Sequence, residues 1–530
     1  MDRVMSTTAP VEEPTLPDPP PAPRPVPAGP FGARFGNPPR GPLLMGLAAA
    51  VMLVVGGFGA GGVLIRDPLM TNSAVGFWRY GHGHDLAAFL MYAGVALMAW
   101  AWIRLGREVL AQRIGGRAVL TTALVWIVPM LFAPPLFTRD IFSYLAQGAL
   151  PLNGFDPYAV GPEAMPGILS DNVHYFWQDT PAPYGPLFIL IAKGIAWLIG
   201  NNIILGVILM RLALLPGLLL LVWALPELTR RLGGRVPLAM WIAVANPMMV
   251  ITMIGGGHND LLVVGLLAVG FLAALRAGDG LRGGHALGIA LITLAMAVKA
   301  SAGVALPFAV LIWAAHMTGS RLVRIVKATA AGVAVFAVVF AVCTLVAGVD
   351  LGWLPALSAP SMIVNWMSIP TAAGQIVGGI LSLFGADYQL FINIFRGIGI
   401  AVLLALAGRQ WWAARDGGPD AVRRAGIVLF AVSVLSPATL PWYVSWGMAL
   451  LAMTPWTARG LQYMVFASVM LIVVYYPNGE DGLYNWGYLA ACAAVAALAA
   501  VSLLREDPLR LRPGARSTTR VTARVAARTG

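Results

Sequence analysis

Residues 138–186 read TRDIFSYLAQGALPLNGFDPYAVGPEAMPGILSDNVHYFWQDTPAPYGP, the longest polar interruption in a chain that is otherwise nearly all apolar. The stretch opens on Asp140, one residue after Arg139, where a long hydrophobic run ends. An amphipathic turn or two follows, carrying Ile141, Phe142, Tyr144 and Leu145. Further carboxylates at Asp156, Glu163, Asp171 and Asp179 are interleaved with Tyr158, Tyr175, Phe176, Trp177 and Tyr184. A loop of this length inside a compact protein is functional or disordered. Its aromatic content argues against disorder. It reads as an active-site loop lying on the bilayer surface.

The sequence around it explains why a bilayer is invoked. Of 530 residues, 58% are apolar and 11% charged, with mean hydropathy +0.77. An ordinary soluble domain carries about 25% charge. Apolar runs of roughly 20 residues, enough to cross a hydrocarbon core, recur at about 43–65, 85–103, 118–137, 202–225, 237–255, 260–276, 285–302, 303–318, 328–347, 388–408, 425–440, 442–455, 460–477 and 484–504. Segments 184–199 and 371–385 are apolar but short and bounded by Gly or Pro. They read as re-entrant or juxtamembrane half-helices. The expected fold is therefore an all-α polytopic membrane protein with about 13–15 transmembrane helices over residues 43–504. Residues 1–42 hold 13 of the 39 prolines and read as a disordered cytoplasmic tail, and 505–530 as a basic cytoplasmic tail. The two cysteines, Cys343 and Cys492, both fall in apolar spans, so no disulfide framework is implied.

Charge orients the chain. With the N-terminus inside, 28 of the 35 Lys and Arg fall in inner loops and tails, and three (Arg66, Arg79, Arg139) fall outside. The positive-inside rule then places both termini in the cytoplasm of a plasma-membrane protein with an even number of spans. The net charge of +12 needs no nucleic acid, because the basic tail suits anionic inner-leaflet lipid. Twelve of the 23 acids and four of the six histidines lie outside. Chemistry is expected on that acidic, aromatic outer face.

Four cations sit within apolar segments: Lys193, Arg211, Lys299 and Arg396. Charge at that depth is expensive and marks function. Cations near the outer leaflet suit a lipid phosphate; the competing reading is snorkelling, or pairing with Asp140 or Asp260. The turn GGGHND, residues 255–260, puts His258, Asn259 and Asp260 at an outer span end. His258 on a wet turn suits phosphate binding or a proton shuttle, while Asp260 also suits a helix N-cap. Asp140 suits a general base that deprotonates an acceptor hydroxyl, against the alternative of capping the helix that follows. Trp442, Tyr443, Trp446, Tyr484 and Trp486 read as interfacial anchors, or as a surface on which a sugar could stack. No phosphate-cradling Gly-rich loop, zincin helix or nucleophile elbow occurs.

An outer-loop aspartate at a span end (TRDIFSYLAQG), a later YGP opening an apolar half-helix, and NP…GGGHND between two spans together resemble the GT-C superfamily of membrane glycosyltransferases. More closely, residues 43–504 resemble the polyprenol-phosphate-mannose-dependent α-1,6-mannosyltransferases that build the mannan core of bacterial lipomannan. The resemblance implies a GT-C-like bundle and inverting transfer of mannose from polyprenyl-phosphate mannose to a lipid-linked mannan acceptor. It implies Asp140 as catalytic base. Lys299, Arg211, His258, Arg396 and Lys193 would face the donor phosphate. Arg139, Tyr144, Asp156, Tyr184, Asn259, Asp260 and Trp442 would line the acceptor and sugar sites. Many members carry paired acids in the first outer loop. Here Arg139 precedes a single aspartate in the second, so no metal or cofactor is implied, although a divalent cation would fit the superfamily. Another sugar, arabinose or glucose, fits the same pattern. A transporter or flippase would predict inverted repeats with polar residues at matching mid-membrane positions, and none is visible.

Overall fold

The computed structural model describes residues 36–505 and Pro508, apart from 66, 68, 71 and 72. The expected N-terminal tail lies outside the described residues up to position 35, and most of the basic C-terminal tail does likewise. The described chain is helical, with one isolated β-bridge between Tyr475 and Asp481.

Among the described residues, seven helices are long and apolar enough to cross a membrane: Arg40–Ala60, Gly81–Leu110, Ile203–Arg231, Asp260–Ala277, Arg321–Ala347, Tyr388–Ala413 and Trp486–Leu504. A bent pair, Val236–Ala243 and Met248–Gly255, meeting at 46°, is long and apolar enough only when its two halves are taken together. Its break is written in Asn246-Pro247, where the Asn246 side chain takes over the Met248 N–H at 2.9 Å. All fourteen expected crossings fall on helical segments, but the remainder are shorter than a bilayer needs. The two expected half-helices are Pro186–Ile199 and Ile369–Ser382, 14 residues each. At 1.5 Å per residue each spans roughly 21 Å, against about 30 Å of hydrocarbon.

Asp260–Ala277 is the central span. Its most apolar window is 83% buried by protein, against 17% for Tyr388–Ala413 at the periphery. A helix apolar on every face can be covered in this way. The segments expected at 285–302 and 303–318 form a hairpin instead of two full crossings. Helix Gly284–Val298 rises, Lys299 is extended (φ −148°, ψ 124°), and a 3₁₀ turn leads into Leu306–Ala314. The two feet meet at His285 and His316, whose ring nitrogens lie 3.2 Å apart. Lys299 is thus carried on the tip of a short apolar hairpin, facing the turn that precedes Asp260.

The loop of residues 138–186 is also more deeply set than its sequence indicates. All ten residues of its first helix, Asp140–Ala149, are buried, so this helix is packed into the bundle instead of lying on the bilayer. Gly148 approaches the backbone of Ala192, where a Cβ would come within 2.3 Å of the Ala192 carbonyl carbon. This close approach seats the helix against Pro186–Ile199.

Candidate active site

The short helix Asp140–Ala149 begins after a strained approach. Phe137 adopts φ +58°, a left-handed conformation unfavourable for a side chain with a Cβ. Its N–H donates to the Pro477 carbonyl at 3.0 Å, which holds the turn. Asp140 occupies the first turn but its carboxylate makes no cap hydrogen bond, so the capping alternative does not describe it. The Thr138 hydroxyl instead accepts the Asp140 N–H at 3.1 Å. The carboxylate is left directed at the site.

Asp140 Oδ2 lies 3.6 Å from His258 Nδ1. The His258 ring stacks on Trp442 with centroids 3.8 Å apart. His258 has no solvent exposure, contrary to the wet turn expected, and neither ring nitrogen makes a hydrogen bond. Burial and the nearby Lys299 pull its pKa well below the ordinary value, so the ring is neutral. Burial also pushes the Asp140 carboxyl up to about 7, opposed by Lys299, reinforced by Asp260, and opposed by hydrogen bonds from the Thr138 and Trp177 side chains. The glycines of GGGHND permit this juxtaposition. At Gly257, φ is +75° and a Cβ would come within 2.6 Å of Ile141 on the loop helix.

Asp260 lies in the first turn of its helix without capping it. It is completely buried and binds Lys299 Nζ through both oxygens, at 2.9 and 3.0 Å. The Trp446 indole N–H donates to the same carboxylate. The ammonium also lies over the rings of Tyr443 and Trp446, 4.5 and 5.4 Å from their centroids. Trp442 and Trp446 are buried, so WYVSW is part of the site and not an interfacial belt.

Two cavities meet at Asp140, and both are walled by Trp177, Leu440 and Trp442. One, of ≈ 260 Å³, runs past Tyr184, Lys299 and Trp446 toward Val432 and Pro437. The other, of ≈ 290 Å³, runs past Arg139, His174, Asn365 and Asp481. Among the described residues, no group of three or more His, Cys, Asp and Glu side chains is arranged to hold a metal ion.

Several expected site residues stand elsewhere. Arg211 lines neither cavity. It donates to the carbonyls of Leu131, Ala133, Pro134, Ile254 and Gly255, two span ends that run out of helical partners. Arg396 binds Thr371 Oγ1 at 3.0 Å, Ser361 O at 2.9 Å and Ile363 O at 2.6 Å, fastening a segment that contributes to both cavities. Lys193 reaches only the Ala347 carbonyl, at 3.4 Å. Asp156 closes its own turn onto the Tyr158 N–H. Tyr144 packs edge-on against Tyr184 and Phe188 behind the site. Asn259 is fully buried with its amide making no hydrogen bond. Trp177, Tyr475 and Asp481 join the site without having been singled out for it. Only the aromatic run after Val173 hinted at Trp177, and nothing local marks a loop more than 300 positions downstream as a neighbour.

A family model described as "Alpha-(1->6)-mannopyranosyltransferase, N-terminal domain" matches residues 43–315, and one described as "MptB C-terminal domain" matches 370–505. The chain is 41% identical over 468 residues to Alpha-(1->6)-mannopyranosyltransferase A of Mycobacterium tuberculosis, covering 87% of this chain and 90% of the relative. It is 31% identical over 482 residues to the protein of the same name from Corynebacterium glutamicum, covering 86% and 97%. A probable alpha-(1->6)-mannopyranosyltransferase of Mycolicibacterium smegmatis is 30% identical over 493 residues, covering 87% of each chain. No solved structure matches.

Proposed function

We propose that this chain, which belongs to the α-(1→6)-mannopyranosyltransferase family, takes its mannose from polyprenyl-phosphate mannose and adds it to a lipid-linked mannan in lipomannan assembly. The observation that carries the reading is the position of Asp140. It is the acid shared by both cavities, with the Lys299 ammonium in one of them. In the reaction, Asp140 removes the proton of a mannose 6-hydroxyl. The freed oxygen attacks the anomeric carbon of a β-linked donor. The bond from that carbon to the phosphate oxygen breaks, and polyprenyl phosphate leaves with its electrons. Attack opposite the leaving group gives an α-linkage with inversion.

Lys299 is the cation available to the departing phosphate, because Arg211, Arg396 and Lys193 are committed to backbone or hydroxyl oxygens. Its partner Asp260 and the two aromatic faces hold it in place. The apolar walls beyond Lys299 suit the first isoprene units of the donor. His258 acts behind Asp140, where a neutral ring excludes water and steadies the carboxylate. In this reading the active site faces outward, both termini are cytoplasmic, and the bilayer-spanning unit runs over residues 43–504.

The test is Asp140→Asn in membranes supplied with labelled polyprenyl-phosphate mannose. Transfer is expected to fall by at least about a hundredfold, the lower range for a lost general base, while donor binding persists. Full transfer by this variant would remove Asp140 from the mechanism.

A further inference from the structure

The cavity on the Arg139 side of Asp140 has a chemical character that the donor does not explain. Its ≈ 290 Å³ is at the bottom of the range of about 300–1,000 Å³ usual for small-ligand sites. It has room for a single sugar ring beside Asp140, so anything attached to that ring must emerge through the mouth. The mouth is built for such a continuation. His174, Tyr175 and Phe176 stack on one another, with Tyr175–Phe176 centroids 4.4 Å apart and His174–Phe176 5.4 Å apart at 18°. His174 also fixes the turn by accepting the Phe176 N–H at 3.4 Å. These rings remain open on their outer side, Phe176 being 38% and Tyr175 62% exposed. Asp481 lines the same cavity, held by the turn Tyr476–Gly482, where Tyr476 N–H donates to Glu480 O at 2.7 Å. No described residue donates a hydrogen bond to the Asp481 carboxylate.

We propose that this cleft is a two-ring acceptor site, in which the sugar preceding the reacting mannose stacks on Phe176 and donates its hydroxyls to Asp481. The proposal rests on the functional reading above and adds the substrate class of its second cavity. A pyranose presents a C–H face that packs on an aromatic ring and a rim of hydroxyl donors that suits a carboxylate. An anionic lipid headgroup fits less well, because Asp481 in the lining would repel it and the Arg139 guanidinium is already engaged with the Asn172 and Val63 carbonyls. The enzyme would therefore recognise a glycan at least two sugars long and extend it, instead of accepting any hydroxyl presented at the membrane.

The test uses full-length protein in detergent with labelled donor and two acceptors, an alkyl α-mannoside and the alkyl α-(1→6)-dimannoside. Wild-type enzyme is expected to prefer the dimannoside by about tenfold in KM, the scale of one aromatic contact plus its burial. Phe176→Ala and Asp481→Asn are expected to erase that preference, with the loss falling on acceptor KM and not on donor KM. Phe176→Trp is expected to restore it, which a merely misfolded loop would not allow. Equal KM values for the two acceptors in wild-type enzyme would overturn the two-ring site. So would an unchanged preference in both variants, or a Phe176→Ala defect confined to binding of lipid vesicles, which would make the shelf a membrane anchor. If wild-type enzyme transfers mannose to neither acceptor while hydrolysing the donor, the acceptor proposal fails alone. If the donor is not turned over at all, the underlying reading fails with it.

Discussion

Asp140 is at once the sharpest and the most burdened residue of the chain. A buried carboxylate without a full hydrogen-bond complement prefers to be neutral. With its pKa pushed up to about 7, it is a base matched to neutral pH. The acid must be ionised to accept a proton. Transfer should therefore decline as pH falls below about 7, approaching tenfold per unit, and level off above it. A pH profile of kcat/KM checks this, and a midpoint near 4, the ordinary aspartate value, would mean that burial does not raise the Asp140 carboxyl in the working enzyme. The stability effect has a related sign. A folded pKa raised above the unfolded one means that folding favours the protonated form. The cost of ionised Asp140 thus accumulates between pH about 4 and 7 and is complete above. Thermal unfolding should show Asp140→Asn gaining on wild type between pH 5 and pH 8; a constant difference would contradict the burial argument.

At the scale of elements, three short pieces make the site: the loop helix from Asp140, the glycine turn before Asp260, and the hairpin tip at Lys299. The Lys299–Asp260 pair joins the last two across 39 positions. Breaking a buried pair from one side leaves an uncompensated charge and costs roughly 3–5 kcal/mol. Lys299→Met alone should therefore lower thermal stability sharply. Lys299→Met with Asp260→Asn should recover most of the stability but not transfer, because the cation at the donor cavity is still missing. Recovery of transfer in the double variant would make the pair purely structural. The same scale explains why intramembrane charge was an imperfect signal. Arg211 and Arg396 are expensive at depth, as Lys299 is, but they meet that cost by binding stranded backbone carbonyls where helices break. From sequence, a cation serving backbone and a cation serving substrate look alike.

Across the whole molecule, the proposed orientation has its own check. A cysteine placed at Asn153, on the exposed turn that follows helix Asp140–Ala149, should react with a membrane-impermeant maleimide from outside intact cells, in a background lacking Cys343 and Cys492. One at Arg415 should react only after the membrane is opened. The reverse pattern would invert the topology and put the site on the wrong side for the proposed outer-face chemistry. This scale also accounts for the helix lengths. Hairpins and half-helices too short to cross alone are tolerated because neighbouring protein, not lipid, satisfies their ends.

Composition and apolar run length were enough to establish a helical membrane protein, because hydrocarbon forces every backbone group into local hydrogen bonds and leaves helices as the answer. Asp140 at the end of an apolar run, the glycine turn and the lysine within an apolar segment were legible for a related reason: polar residues in apolar surroundings stand out. Their partnerships were not legible. That His258 backs Asp140, that Asp260 holds Lys299, and that Trp446, 186 positions from Asp260, shares its carboxylate are consequences of packing between distant spans. Periodicity reports which face of a helix is apolar; it does not report which neighbour covers it.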